Sequence, residues 1–219
     1  MRRRVVFLHT FTSLAGLFTD LSKELLPADI EVIHIADELL LKGIQTQGGV
    51  SPAILRRVAE HAIAAEQAGA VVFQCTCSSI SPCVDSVRPL VGIPVLKIDE
   101  PMVDEALRIG SRVGVVATAP TTLKPTTDLV HTRAAEMGRT VQVEPVLCEG
   151  AYTALLAGDT ATHDAIVRKY VMGLMDRNDV IVLAQASMAR AMEGISTQEA
   201  RVPILSSPRL AVKRLAEFL

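Results

Sequence analysis

An α/β fold of two pseudo-symmetric domains, each a parallel-stranded sheet flanked by helices, is what this sequence predicts. Three observations lead there. Short apolar runs alternate with helical patterns along the whole chain, the signature of βα units and parallel sheets. The pattern restarts near Arg112, and two strand ends match: Val71-Val72-Phe73-Gln74-Cys75 and Ile181-Val182-Leu183-Ala184-Gln185. Polar turns follow the strands, at the edge where open α/β sheets keep their chemistry.

The first strand is expected at residues 4–8, a basic lead-in followed by an apolar run that His9-Thr10 interrupts. Strands follow at 30–35, at 70–75 (apolar enough to be buried on both faces) and at 95–98. The second half opens with 112–117, then 141–145, 180–184 and 202–205. Pro203 makes the last of these short or an edge strand. Helical patterns fill 12–25, 52–68, 84–90, 100–109, 125–137, 151–156, 162–177, 188–195 and 207–219. Right-handed crossovers then gather the loops at one sheet edge. The expected domains are 1–98 plus 207–219, and 99–206, each about 100 residues, a common domain size. The last helix is expected to cross back to the first domain. No linker is rich enough in Gly, Pro or Ser to mark a flexible boundary.

Composition narrows the function. The chain has 219 residues, 49% of them hydrophobic, enough to bury a substantial core. The net charge of −2 comes without a basic block or stripe, so nucleic acid is not an expected partner. Apolar stretches fall short of a membrane span, and the run after Arg2-Arg3-Arg4 is too short for a signal peptide. The four cysteines, Cys75, Cys77, Cys83 and Cys148, are therefore expected to be reduced, in a cytoplasmic protein. Cys75 and Cys77 have C-x-C spacing without a second pair, so no metal site is expected. Neither G-x-x-x-x-G-K-[ST] nor G-x-G-x-x-G occurs, which argues against a nucleotide cofactor.

The chemistry points to the four turns. These are His9-Thr10-Phe11-Thr12, Cys77-Ser78-Ser79, Thr118-Ala119-Pro120-Thr121-Thr122 and Gln185-Ala186-Ser187-Met188. Hydroxyls beside helix N-terminal amides make a cradle for a small carboxylate. Any one such turn is explained by helix capping alone; four in one α/β chain are harder to dismiss. Cys75 lies within its strand and reads as a small buried hydrophobe. Cys77 lies beyond the strand end and reads as the reactive thiol. Cys83 and Cys148 read as structural. His9 serves as a base or as a turn histidine bonded to backbone. His34, His61, His131 and His163 read as surface or packing residues, and His163-Asp164 as a helix cap. Asp99-Glu100 either lines the cleft or favours a helix start.

These turns, in this order, resemble the aspartate/glutamate racemase superfamily, which includes hydantoin racemase, maleate isomerase and arylmalonate decarboxylase. Cys77-Ser78-Ser79 is similar to that family's Cys-Asn-Thr or Cys-Ser-Thr signature. A register placing Cys75-Thr76-Cys77 there is the alternative; two hydroxyls directly after Cys77 favour Cys77. Val113-Gly114-Val115-Val116-Ala117-Thr118 with Thr121-Thr122 resembles the second-domain strand and Thr turn. Where the family has Leu-Gly-Cys-Thr, this chain has Leu183-Ala184-Gln185-Ala186-Ser187, so Gln185 stands at the second cysteine.

The resemblance implies two α/β domains with the active site in the interdomain cleft, no cofactor, and a small carboxylate substrate. It also implies assembly as a homo-oligomer. Cys77 would move the proton, Gln185 would stand opposite, and Thr10, Thr12, Ser78, Ser79, Thr118, Thr121, Thr122 and Ser187 would hold carboxylate or oxyanion. Two-thiol racemisation needs one base and one acid on opposite faces of a carbon, and glutamine does neither job. The implied activity is thus thiol-based proton transfer beside a carboxylate. Single-cysteine decarboxylation or cis-trans isomerisation, and non-catalytic metabolite binding, are the alternatives.

Overall fold

The computed structural model describes residues 3–196 and 199–219. It divides into two compact units, one running up to Ile98 and rejoined by Pro208–Leu219, the other spanning Asp99–Ser207.

The first unit contains β1 (Arg4–His9), α1 (Leu14–Leu25), β2 (Glu31–Ala36), α2 (Glu38–Gln47), α3 (Pro52–Gln67), β3 (Ala70–Cys75), α4 (Ser81–Val87) and β4 (Val95–Lys97). Its four strands are all parallel in the order β2-β1-β3-β4. Alternation along β1 sends Val6 and Leu8 to one face and Val5 and Phe7 to the other. Both faces are buried, as a parallel sheet requires. Val6, Leu8, Phe73 and Cys75 meet Leu40, Ile44, Val58 and Val84 from α2, α3 and α4. Val5, Phe7 and Val72 meet Phe18 of α1 and Ala211, Val212 and Leu215 near the C-terminus.

In the second unit stand α5 (Glu100–Ile109), β5 (Arg112–Ala117), α6 (Pro120–Glu136), β6 (Gln142–Leu147), α7 (Ala151–Leu156), α8 (Thr160–Leu174), β7 (Val180–Leu183) and β8 (Ile204–Ser206). The parallel order is β6-β5-β7-β8, the same as in the first unit. The final helix, α9 (Ser207–Ala216), packs its apolar face on the first unit. There Arg209 pairs with Glu24, and Arg3 donates to the Leu219 carbonyl at 2.6 Å.

Both sheets reverse winding direction between their two central strands. That switch point leaves a crevice at the strand C-termini. In the first unit the flanking ends are His9 and Cys75; in the second they are Ala117 and Leu183. The polar turns follow these four ends.

Three elements differ from the sequence reading. The helix α2 was not expected, because Gly43 and the run Leu39-Leu40-Leu41 blur its period. Gly43 lies against α3: a Cβ there would sit 2.7 Å from Ile54 Cδ1, so the end of that side chain would have to move. α6 starts at Pro120 rather than 125. Pro120 is at the helix start, where a missing N–H costs nothing, and Pro125 inside the helix forgoes only one bond. The segment expected as a helix at 188–195 is a 3-10 turn, Ala186–Met192. Among the described residues no helix is long and apolar enough to cross a membrane.

Candidate active site

In the first unit, the backbone after β3 folds back at once: the Ile80 N–H donates to the Cys77 carbonyl at 3.1 Å and the Cys83 N–H to the Ile80 carbonyl at 2.9 Å. Cys77, half-buried at the head of this turn, takes the place of an N-cap side chain. Around its sulfur stand the Thr10 and Ser79 hydroxyls and the Ser79 and Ile80 N–H groups, each of which favours the thiolate. Ser, Thr and Asp cap turns the same way, through oxygen. Burial raises the thiol above its ordinary value, and the four donors oppose that rise. The thiol thus keeps its proton at rest, while any thiolate formed meets a ready-made set of donors.

Thr10, just past the end of β1, is buried, and its hydroxyl has no hydrogen-bond partner among the described residues. Ser78 and Ser79 are buried in the turn. Thr12 is exposed and donates to Glu38 Oε1 at 2.9 Å, so its hydroxyl is committed to α2. Cys75 is fully buried on the apolar face of β3. Burial pushes Cys83 up to about 11 and Cys148 up to about 12, which keeps both as inert thiols.

Behind the Thr10 and Cys77 backbone lies a polar chain that the sequence did not reveal. The Thr76 hydroxyl contacts the Leu8 carbonyl at 2.9 Å and His9 Nδ1 at 2.8 Å. His9 Nε2 contacts His34 Nδ1 at 2.8 Å, and His34 Nε2 contacts the Thr19 hydroxyl at 2.9 Å. Thr19 also reaches the Ala15 carbonyl at 2.9 Å. His34, expected at the surface or in packing, is instead a working member of this chain. With neutral imidazoles four hydrogens serve these five contacts, so one contact is always unfilled. A further proton would complete the set, but burial, aided by the His34 charge, lowers His9 to about 4.

His61 is likewise partnered, contacting Asp37 Oδ2 at 2.8 Å beside Arg57. Asp99 is fully buried at the start of α5.

In the second unit, the Gln185 Oε1 accepts from the Thr118 N–H at 2.6 Å and from the Thr118 hydroxyl at 3.0 Å. A backbone N–H only donates, so the amide orientation is fixed by chemistry: oxygen toward Thr118. The Nε2 amino group is left free to donate elsewhere. Thr122 is buried, Thr121 and Ser187 are half-buried, and the Thr121 Oγ1 is shielded without a partner.

His163 departs from its expected role. The cap of α8 is Asp159, whose carboxylate accepts from the Thr162 N–H at 3.0 Å. His163 is fully buried, with Nδ1 on Asp164 Oδ1 at 2.7 Å.

Among the described residues no three His, Cys, Asp or Glu side chains stand together so as to hold a metal. The arrangement suits an acid that donates one proton and donors that hold an anion.

A family model described as Asp/Glu/hydantoin racemase matches residues 12–215. Solved structures share the fold. A candidate Asp/Glu racemase of Yersinia pestis is 14% identical with a TM-score of 0.74, over 99% of this chain and 98% of that one. An allantoin racemase of Klebsiella pneumoniae is 19% identical with a TM-score of 0.69, over 98% and 86%. A glutamate racemase of Bacillus anthracis is 15% identical with a TM-score of 0.70, over 99% and 81%. No curated protein sequence matches the chain.

Proposed function

Because the chain belongs to the Asp/Glu/hydantoin racemase family, we propose that it transfers a proton at the carbon beside the carboxylate of a small carboxylic, dicarboxylic or amino acid. It does so through Cys77 and without a cofactor. The observation that carries this reading is the sulfur of Cys77 set among the Ser79 and Ile80 N–H groups and the Thr10 and Ser79 hydroxyls. A raised thiol holds a proton to give, and those donors stabilise the thiolate left behind. Ser78 stands beside it as a carboxylate donor. Thr118, Thr121, Thr122 and Ser187 supply further polar groups in the other unit.

Gln185 supports a second reading. Its oxygen is held by Thr118, which leaves its amino group as a donor. Such a group stabilises a developing enolate or a carboxylate and moves no proton. One thiol with one fixed donor suits decarboxylation or cis-trans isomerisation, in which a planar intermediate is protonated from one side.

Proton NMR in D₂O separates the readings, with aspartate, glutamate, allantoin, hydantoins, maleate and substituted malonates as substrates. Loss of the Cα proton together with inversion marks racemisation; a decarboxylated or isomerised product marks the second reading. Cys77→Ala should cost a factor of ~10² to 10⁴, the usual worth of a general acid or base. Full turnover by that variant would refute the role given to Cys77.

A further inference from the structure

We propose that His34, two strands away on β2, is a positioning residue for Cys77 that acts through His9 and Thr76; the proposal deepens the reading of Cys77 above and rests on it. All of these residues lie in the first unit. Thr76 is the single residue between the end of β3 and Cys77, and it ties that stretch of chain to β1. Its N–H donates to the Leu8 carbonyl at 3.0 Å, and its hydroxyl donates to the same carbonyl at 2.9 Å. Directly after it the backbone turns, with the Ile80 N–H on the Cys77 carbonyl. Whatever holds the Thr76 hydroxyl therefore holds the base of the Cys77 turn.

The hydrogens determine which way each bond points. The Leu8 and Ala15 carbonyls at the two ends of the polar chain only accept. With the Thr76 hydroxyl donating to Leu8, its oxygen accepts from His9 Nδ1, at 2.8 Å. His9 Nε2 is then bare and takes the hydrogen of His34 Nδ1, also at 2.8 Å. His34 Nε2 is bare in turn and takes the Thr19 hydroxyl hydrogen, at 2.9 Å. Only the Thr19–Ala15 contact is left without a hydrogen. In the opposite order every hydrogen turns toward Ala15, and the Leu8 carbonyl loses the Thr76 hydroxyl.

The two ends differ in what that loss costs. Thr76 is 2% exposed, whereas Thr19 and Ala15 are half-buried. An unmade hydrogen bond costs most where water cannot take the place of the partner. The Ala15 carbonyl also lies within α1, where the Thr19 N–H serves it. The unfilled contact therefore settles at the Thr19 end, and both imidazoles carry their hydrogen on Nδ1.

His34 is thus the group that keeps His9 in the tautomer that Thr76 needs. Stacking fixes its ring as well: the His34 centroid lies 5.7 Å from that of Phe7 and 5.1 Å from that of His9. Without a donor at position 34 nothing sets the His9 tautomer, and the Thr76 hydroxyl is free to turn from Leu8 to His9. The Cys77 turn then keeps only its backbone tie to β1. Thr10 and Cys77, the residues directly after His9 and Thr76, lose part of their mutual placement.

The test uses the full-length protein and two variants. His34→Phe keeps a stacked ring and has no donor; His34→Asn puts an amide N–H near the place of Nδ1. Side-chain ¹⁵N NMR of the wild type should find the hydrogen on Nδ1 of both His9 and His34, and a His9 hydrogen on Nε2 would overturn the proposal. The second readout is the rate of Cys77 alkylation by iodoacetamide against pH, followed on the Cys77 peptide by mass spectrometry. His34→Phe should raise the midpoint by about half a unit to one unit, so that below it the rate falls ~3- to 10-fold. His34→Asn should stay within about a factor of two of the wild type, a rescue that ring packing alone does not give. An unmoved midpoint in His34→Phe, or an equal defect in His34→Asn, would overturn the proposal. If His34→Phe does not fold, Thr19→Val removes the hydrogen at the half-buried end instead; it should mix the His9 tautomers and shift the midpoint in the same direction, and no change in either would count against the proposal. With a substrate in hand, His34→Phe should lower kcat about tenfold or more at nearly constant KM. Full turnover by Cys77→Ala would sink the reading of Cys77, whereas the tautomer and alkylation readouts would still decide whether His34 positions the thiol.

Discussion

Lowering the pH should loosen the first unit by an amount readable from His9. The side chain is fully buried between Thr76 and His34 and stacks near Phe7 and Phe18. Burial, with the His34 charge as the smaller cause, lowers it from 6.5 to about 4. The folded state therefore binds this proton less readily than the unfolded chain. Stability from a neutral His9 is fully present above about pH 6.5 and is lost as pH falls from there toward about 4. At about 1.4 kcal/mol per pH unit the whole gap is about 3 kcal/mol, an upper bound, and about 2 kcal/mol of it is gone by pH 5. The assay is urea unfolding of the wild type and of His9→Asn at pH 7.5 and pH 5. Other groups titrate in both proteins, so the difference in their pH dependence isolates His9 and its coupling to His34. We expect the wild type to lose about 2 kcal/mol more than the variant on acidification. Equal losses would refute the claim that burial holds His9 neutral.

Two further outcomes probe the site itself. Thr10→Val removes one of the groups that favour the Cys77 thiolate. A hydrogen bond to a charged group is worth about 1.5–3 kcal/mol, so the midpoint of the pH profile for Cys77 alkylation should rise by about one to two units; an unmoved midpoint would remove Thr10 from the cradle. Gln185→Glu keeps an acceptor for Thr118 but puts a carboxylate oxygen where the amino group stood. The KM for a carboxylate substrate should rise on the order of tenfold or more at little cost in stability, because like charges then oppose each other. An unchanged KM would mean that this amide does not face the substrate.

The fold class was legible because strand signals are strong where both sheet faces are buried. The runs at 70–75 and 112–117 carry side chains that reach core on both sides, and they coincide with β3 and β5. The helix α2 was not legible. Its glycine reads as a breaker in one dimension, whereas in the fold it packs beside Ile54, eleven residues away in sequence and 2.7 Å from where a Cβ would be. The turns were legible as polar punctuation after apolar runs, but their internal wiring was not. Nothing local tells that Thr12 answers to Glu38, that Thr76 bridges β1 and β3, or that His9 meets His34. Each of these contacts joins residues 25 or more positions apart, and register alone brings them together. His163 was misjudged for a related reason. A histidine next to an aspartate near a helix start reads as a cap, yet Asp159 does the capping and the helix period turns His163 inward.

The polar groups at the ends of β5 and β7 are wired together rather than standing singly. The Gln185 oxygen answers a backbone N–H and a hydroxyl of Thr118, two donors that a sulfur would satisfy poorly. A cysteine at this position would leave the Thr118 N–H in need of another acceptor at the end of β5. The turn after β7 is bound to α8 through Asp164–Arg190 and through Arg168. Glutamine at 185, threonine at 118 and the histidine–aspartate pair at 163–164 thus belong to one connected arrangement. In it the amide of Gln185 and the hydroxyl and N–H of Thr118 hold one another, so a change at either position is felt at the other.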